Sequence, residues 1–189
     1  MRNRLSAQIA ARQKKGIPAD VKGMDDALKA MLETQIGDLE RRIETVIAQE
    51  KTSAAEAKLL RSIPGIGPVS AAMLIAELPE LGRMSSGEAA AMTGLAPVPH
   101  DSGAMRGRRA IAGGRRALRH VLFQAALAAA CHNSALKPVA QRLKERGKPQ
   151  KLVIVAIARR LITIANAVLK TGETWRHQSG GQTQLLWLS

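Results

Sequence analysis

A mainly α-helical fold is predicted by three observations. Apolar residues recur three and four positions apart along most of the chain, and no run alternates apolar with polar as a half-buried strand does. Phe123, Trp175 and Trp187 are its three aromatic residues, few for strands, which favour them. With 189 residues, 46% of them hydrophobic, the chain can bury one good core or two small ones.

The elements follow in order. Residues 1–23, which contain Gly16, Pro18 and Gly23, read as a flexible leader. Residues 24–54 read as an oligomerisation or coiled-coil helix. After Leu28, the apolar positions Leu32, Ile36, Leu39, Ile43 and Val46 fall four, three, four and three apart, with Glu40, Arg41, Arg42 and Glu44 off the seam. The same stripe also suits a helix packed on its own domain, so both readings stand.

Residues 55–172 read as one compact multi-helix domain. Its first block, LLRSIPGIGPVSAAMLIAEL at 59–78, runs one apolar helix into Ile63-Pro64-Gly65-Ile66-Gly67-Pro68 and starts another at Val69. The block resembles a helix-hairpin-helix. In that motif hairpin glycines expose N–H groups beside a helix N-terminus, where a phosphate binds without readout of base sequence. Gly65 and Gly67 are the candidates; a helical corner with no ligand is the alternative. A short helix to Met92 is expected with Ser86 as its N-cap. An arginine-rich loop at 94–116 that holds Ser102 comes next, then helices at 115–131, 136–146 and 150–170, and a tail at 173–189. Cys131, on an alanine-rich apolar face, is expected in the core.

Charge is unevenly distributed. The formal net charge is +14, favouring a polyanionic partner such as nucleic acid. Residues 1–52 hold ten basic and eight acidic side chains and are nearly balanced, whereas residues 100–160 hold fourteen basic ones against Asp101 and Glu145 alone. A lone cysteine excludes an internal disulfide and a cysteine-rich zinc site, and fits a reducing, cytoplasmic compartment. The N-terminus has no apolar run of signal-peptide length, and Arg159 and Arg160 interrupt the apolar stretch from Leu152 to Leu169. Secretion and membrane insertion are therefore not expected.

Three blocks, in this order, carry a resemblance: SIPGIGPVSAAMLIAEL, TGLAPVPHDSGAMRGRRAIAGGRRALRHVLFQAALAA and RLKERGKPQKLVIVAIARRLITIANAVLK. Together, over about residues 55–172, they resemble the C-terminal serine-bearing domain of insertion-sequence transposases of the IS110 type. Gly94, Leu95, Pro97, Ser102, Gly103, Gly107, Ile111, Gly113, Gly114, Leu118, Arg119, Gly147 and Lys148 fall on that pattern. The resemblance implies a DNA recombinase active in DNA transposition. Ser102 would attack a DNA phosphodiester and hold the strand as a phosphoserine. Arg106, Arg108, Arg109, Arg115 and Arg116 would offset the charge that builds up in the transition state. Arg119 is a further DNA-binding candidate; Lys148 and Lys151 either contact phosphate or are solvated.

The resemblance also implies an N-terminal RuvC-like domain whose acidic residues hold magnesium, a coiled-coil linker, work as an oligomer, and guidance by an RNA. The acids of residues 1–52 lie on a helical pattern and do not map onto such a domain, so no metal site is carried over and no cofactor is expected in this chain. A truncated or split form is expected, one that assembles with itself or with a full-length transposase in the cytoplasm, at the nucleoid. The alternative is a non-catalytic DNA- or RNA-binding or regulatory helical module.

Overall fold

A computed structural model describes residues 7–11, 14, 19–98 and 110–176. The chain divides into two compact units between Gln49 and Glu50.

In the first unit, helix α1 spans Ala19–Gln49, 31 residues or about 46 Å at 1.5 Å per residue. It begins ahead of Gly23: the good helix formers around this glycine outweigh its cost of about 1 kcal/mol. Local bonds hold the helix surface. Thr34 and Thr45 hydroxyls donate to the carbonyls of Ala30 and Arg41, and Arg41 pairs with Asp38. Leu28, Leu39, Ile43 and Val46 of the predicted seam are exposed, as are Met24 and Met31, while Leu32 and Ile36 are half-buried. Glu50 adopts extended dihedrals (φ −103°, ψ 116°), which ends the helical run.

Among the described residues the second unit holds six helices and one pair of short strands: α2 Lys51–Arg61, α3 Pro68–Glu77, α4 Ser86–Met92, β1 Pro97–Val98, β2 Ala110–Ile111, α5 Arg116–His132, α6 Lys137–Glu145 and α7 Gln150–Thr171. The mainly α expectation holds. The two strands of two residues each pair antiparallel, Pro97 opposite Ile111 and Val98 opposite Ala110, and are too short to leave a period in the sequence.

Helix α7 is the hub, packing against α2, α4, α5 and α6. It is long and apolar enough to cross a membrane by length and composition (mean hydropathy 2.0), a test that core helices also pass. Val153, Ile154, Ile157, Leu161, Ile162 and Ala165 are buried along it. Helix α5 packs on it and buries Leu118, Leu122, Ala125, Ala126 and Ala129. Cys131 is exposed, contrary to expectation. Two residues beyond Ala129 is a rotation of about 200°, onto the opposite face of the helix, so the next inward position falls on Asn133.

The cap of α4 also differs from the sequence reading by one residue. Ser85, not Ser86, is the N-cap. Its Oγ accepts from the Glu88 N–H (3.2 Å), and Glu88 Oε2 accepts from the Ser85 N–H (2.8 Å), which is a capping box.

Candidate nucleic-acid interface

Helix α5 sets the geometry, because a candidate site lies at each of its ends. At its N-terminal end stands the base of the segment that carries Ser102. Strands β1 and β2 flank residues 99–109, and Val98 and Ala110, on either side of them, pair with each other. Below the strand pair, Gly94, Gly113 and Gly114 all have left-handed dihedrals (φ +66°, +67° and +64°). A Cβ on Gly114 would collide with the backbone of Gly94, and one on Gly94 with the Gly113 carbonyl. These glycines thus let two stretches of backbone touch each other. The Arg115 N–H closes the junction by donating to the Met92 carbonyl at 2.8 Å.

Two arginines bind this junction from α5. The Arg119 guanidinium donates to the carbonyls of Gly113 (2.9 Å) and Gly94 (3.5 Å), bridging the two sides. Arg115 pairs with Glu80 at 3.1 and 3.3 Å and also donates to the Glu77 carbonyl. The hydrogen bond from Arg115 holds the Glu80 carboxyl below the ordinary glutamate range, and Glu80 in turn raises the Arg115 pKa. The charge of Arg115 is largely met within the protein. Arg116, by contrast, is exposed, with no hydrogen bond or ion pair among the described residues.

At the other end of α5, some 13 residues or about 20 Å away, sits the turn between α2 and α3. Buried Ile63 and Ile66 anchor it. Gly65 has φ +110°, and a Cβ there would lie 2.6 Å from Ala129 Cβ, so this glycine is needed for packing against α5. Gly67 is exposed, nothing lies within 4 Å of where its Cβ would be, and it forms the N-cap of α3 without a side-chain cap bond. Pro68 follows at the first helical position, so the next N–H groups of α3, those of Val69 and Ser70, lack intrahelical partners.

Sequence reasoning missed the groups that hold these ends. Asn133 is fully buried. Its Nδ2 donates to the Pro64 carbonyl (3.1 Å), and its Oδ1 accepts from the Ala135 (3.0 Å) and Leu136 (3.1 Å) N–H groups, tying the hairpin to the turn before α6. An asparagine just past an apolar helix and before a new one was the available signal. Asn166, buried on α7, accepts from the Gly82 N–H and donates to the Met84 carbonyl, both at 2.8 Å, fixing the loop that leads to Ser85. Nothing in the sequence marks that pairing.

Of the predicted site residues, Ser102, Arg106, Arg108 and Arg109 lie outside the described residues. Arg115, Arg116 and Arg119 come together at the N-terminal end of α5, Gly65 and Gly67 stand at the other end, and Lys148 is exposed in the turn between α6 and α7. The described residues hold no group of three His, Cys, Asp or Glu side chains that could ligate a metal, so no step is assigned to a metal ion.

The second unit is a helical domain whose glycine-bearing loops surround a central apolar helix and whose cations between Lys137 and Lys151 are exposed. In comparison with known families, residues 57–141 match the transposase IS116/IS110/IS902 family. The chain is 33% identical to a pilin gene-inverting protein of Moraxella bovis over 118 residues, 60% of this chain and 37% of the relative. It is 34% identical to a putative transposase of Sinorhizobium fredii over 137 residues, 67% of this chain and 34% of the relative. Against a 43.6 kDa protein of insertion element IS110 from Streptomyces coelicolor, identity is 28% over 141 residues, 74% and 35% of the two chains. The chain thus spans about a third of the length of these relatives.

Proposed function

We propose that this chain is a DNA-binding and strand-exchange domain of a transposase, with Ser102 as nucleophile. The observation that carries the reading is the family match over residues 57–141, which includes Ser102 and the described junction that anchors its segment at both ends. In the proposed step the Ser102 Oγ loses its proton to a base and bonds to phosphorus. One deoxyribose oxygen then leaves and takes up a proton, and the phosphodiester's energy stays in the phosphoserine link until the strand is rejoined. Arg106, Arg108, Arg109 and Arg116 offset the charge on the phosphoryl oxygens. Arg119 and Arg115 set the base of the loop, and Gly67 with the α3 N-terminus grips backbone phosphate without sequence readout. The α1 seam pairs with a second copy or with a longer transposase, and an RNA guide is a further proposed partner. The setting is the cytoplasm, on nucleoid DNA.

A second reading, a binding module without chemistry, is favoured by one observation: the exposed cations between Lys137 and Lys151 attract a polyanion whether or not Ser102 reacts. The two readings are separated by incubating the chain, with and without a full-length relative, on end-labelled DNA and denaturing it. Label that migrates with protein and vanishes in Ser102→Ala supports the nucleophile. Salt-sensitive binding with no trapped label under any pairing supports the binding module.

A further inference from the structure

Six cations lie between residues 137 and 151, namely Lys137, Arg142, Lys144, Arg146, Lys148 and Lys151, against the single acid Glu145. All six are exposed, and among the described residues none is held by a hydrogen bond from its side chain or by an ion pair. Local structure gathers them. Arg142 and Arg146 are four apart at the end of α6, with Cβ atoms about 5–6 Å apart on one flank. Gly147 (φ +70°) then turns the chain back: its N–H donates to the Lys144 carbonyl (2.8 Å) and the Lys148 N–H to the Leu143 carbonyl (3.1 Å). That turn carries Lys148 and Lys151 to the start of α7.

Helix electrostatics explains part of this set. Arg142 and Lys144 complement the negative C-terminal end of α6, but Lys151 sits in the first turn of α7, where the dipole opposes a cation and no acid is present. Unpaired like charges repel, so the edge raises the energy of the folded chain unless a polyanion covers it. Residues 137–151 include no aromatic side chain on which unpaired bases could stack, which points to a duplex rather than a single strand.

We infer that the edge formed by α6 and the first turn of α7 is a docking surface for the phosphodiester backbone of a DNA duplex, a contact additional to the one proposed for Ser102. This rests on the nucleic-acid reading above and extends it to a second contact. The edge fixes how the duplex lies on the domain while leaving base sequence unread.

The test is equilibrium binding of the full chain to a DNA duplex and to an RNA stem of equal length, from low to physiological salt. The variants are Arg142→Gln/Arg146→Gln/Lys151→Gln and, for comparison, Arg106→Gln/Arg108→Gln/Arg109→Gln. Each phosphate contact contributes about 0.9 to the slope of log affinity against log salt. The edge variant is expected to lower that slope by about 2 to 3 on the DNA duplex, and a loss confined to the RNA stem overturns the DNA assignment. Its melting temperature at low salt is expected to match or exceed that of the unaltered chain, which separates lost contacts from misfolding. Arg142→Lys/Arg146→Lys/Lys151→Arg is expected to keep the slope. An unchanged slope in the edge variant, with the loop variant impaired, overturns the docking surface and leaves the nucleic-acid reading intact. Failure of the unaltered chain to bind either duplex overturns both.

Discussion

At the N-terminal end of α5 the protein itself binds Arg115 and Arg119, whereas Arg116 and the cations from Lys137 to Lys151 face water. Arg119 bridges the carbonyls of Gly94 and Gly113, and Arg115 is paired with Glu80. Along α6 no carboxylate or carbonyl plays that part among the described residues. Both regions belong to one basic stretch of sequence, yet they do different work. The first uses cationic donors to build a junction, and the second leaves them available to a partner. Counting arginines near a candidate nucleophile therefore overstates the donors free to meet a phosphate.

The largest expected effect breaks the junction itself. Gly114→Val adds a side chain against the Gly94 backbone at a left-handed position, and should cost more than about 3 kcal/mol of unfolding free energy. Denaturant unfolding measures it; a loss below about 1 kcal/mol would mean that the junction does not hold the fold. Asn166→Ala removes both bonds that fix the loop before α4, leaving the Gly82 N–H and Met84 carbonyl without them, and should cost about 1–3 kcal/mol in the same measurement.

Acid sharpens the contrast with a smaller effect. Glu80 is held below the ordinary glutamate range by Arg115, and Glu88 by the Ser85 N–H and hydroxyl. Carboxylates with lowered folded-state values contribute stability above their unfolded values and lose it as pH falls through the folded ones. Melting temperature should fall on acidification through that window, and less steeply in Glu80→Gln. Identical pH profiles for the two proteins would remove the Arg115–Glu80 pair from the account. The smallest effect is expected at Cys131, where exposure puts Cys131→Ser within about 0.5 kcal/mol of the unaltered chain.

What could be read from the sequence follows from what each signal depends on. The inward stripe of α5 is visible because leucines at 118 and 122 mark a period, but the alanines that continue it offer little contrast, so the alanine-rich face that suggests a buried Cys131 does not tell its inward side from its outward one. The α4 cap was within reach: Ser85 stands three residues before Glu88, the spacing a capping box needs, and Ser86 does not. The bonds that make the candidate site are different in kind. Arg115 to Glu80 spans 35 positions, Asn133 to Pro64 spans 69, and Asn166 to Gly82 spans 84, and no local pattern announces a partner that distant. The glycines at 94, 113 and 114 stand on the pattern of the resemblance, but nothing local shows that Gly94 and Gly114 approach each other's backbone.

The most direct measurement of the central claim is to locate the DNA on the chain. The protein is incubated with DNA carrying element ends, alone and with a full-length relative, then denatured and digested with nuclease and protease, and the peptides are read by mass spectrometry. The account predicts a nucleotide adduct on the Ser102 hydroxyl and none in Ser102→Ala. An adduct on another residue, or one that persists when Ser102 is replaced, would contradict it.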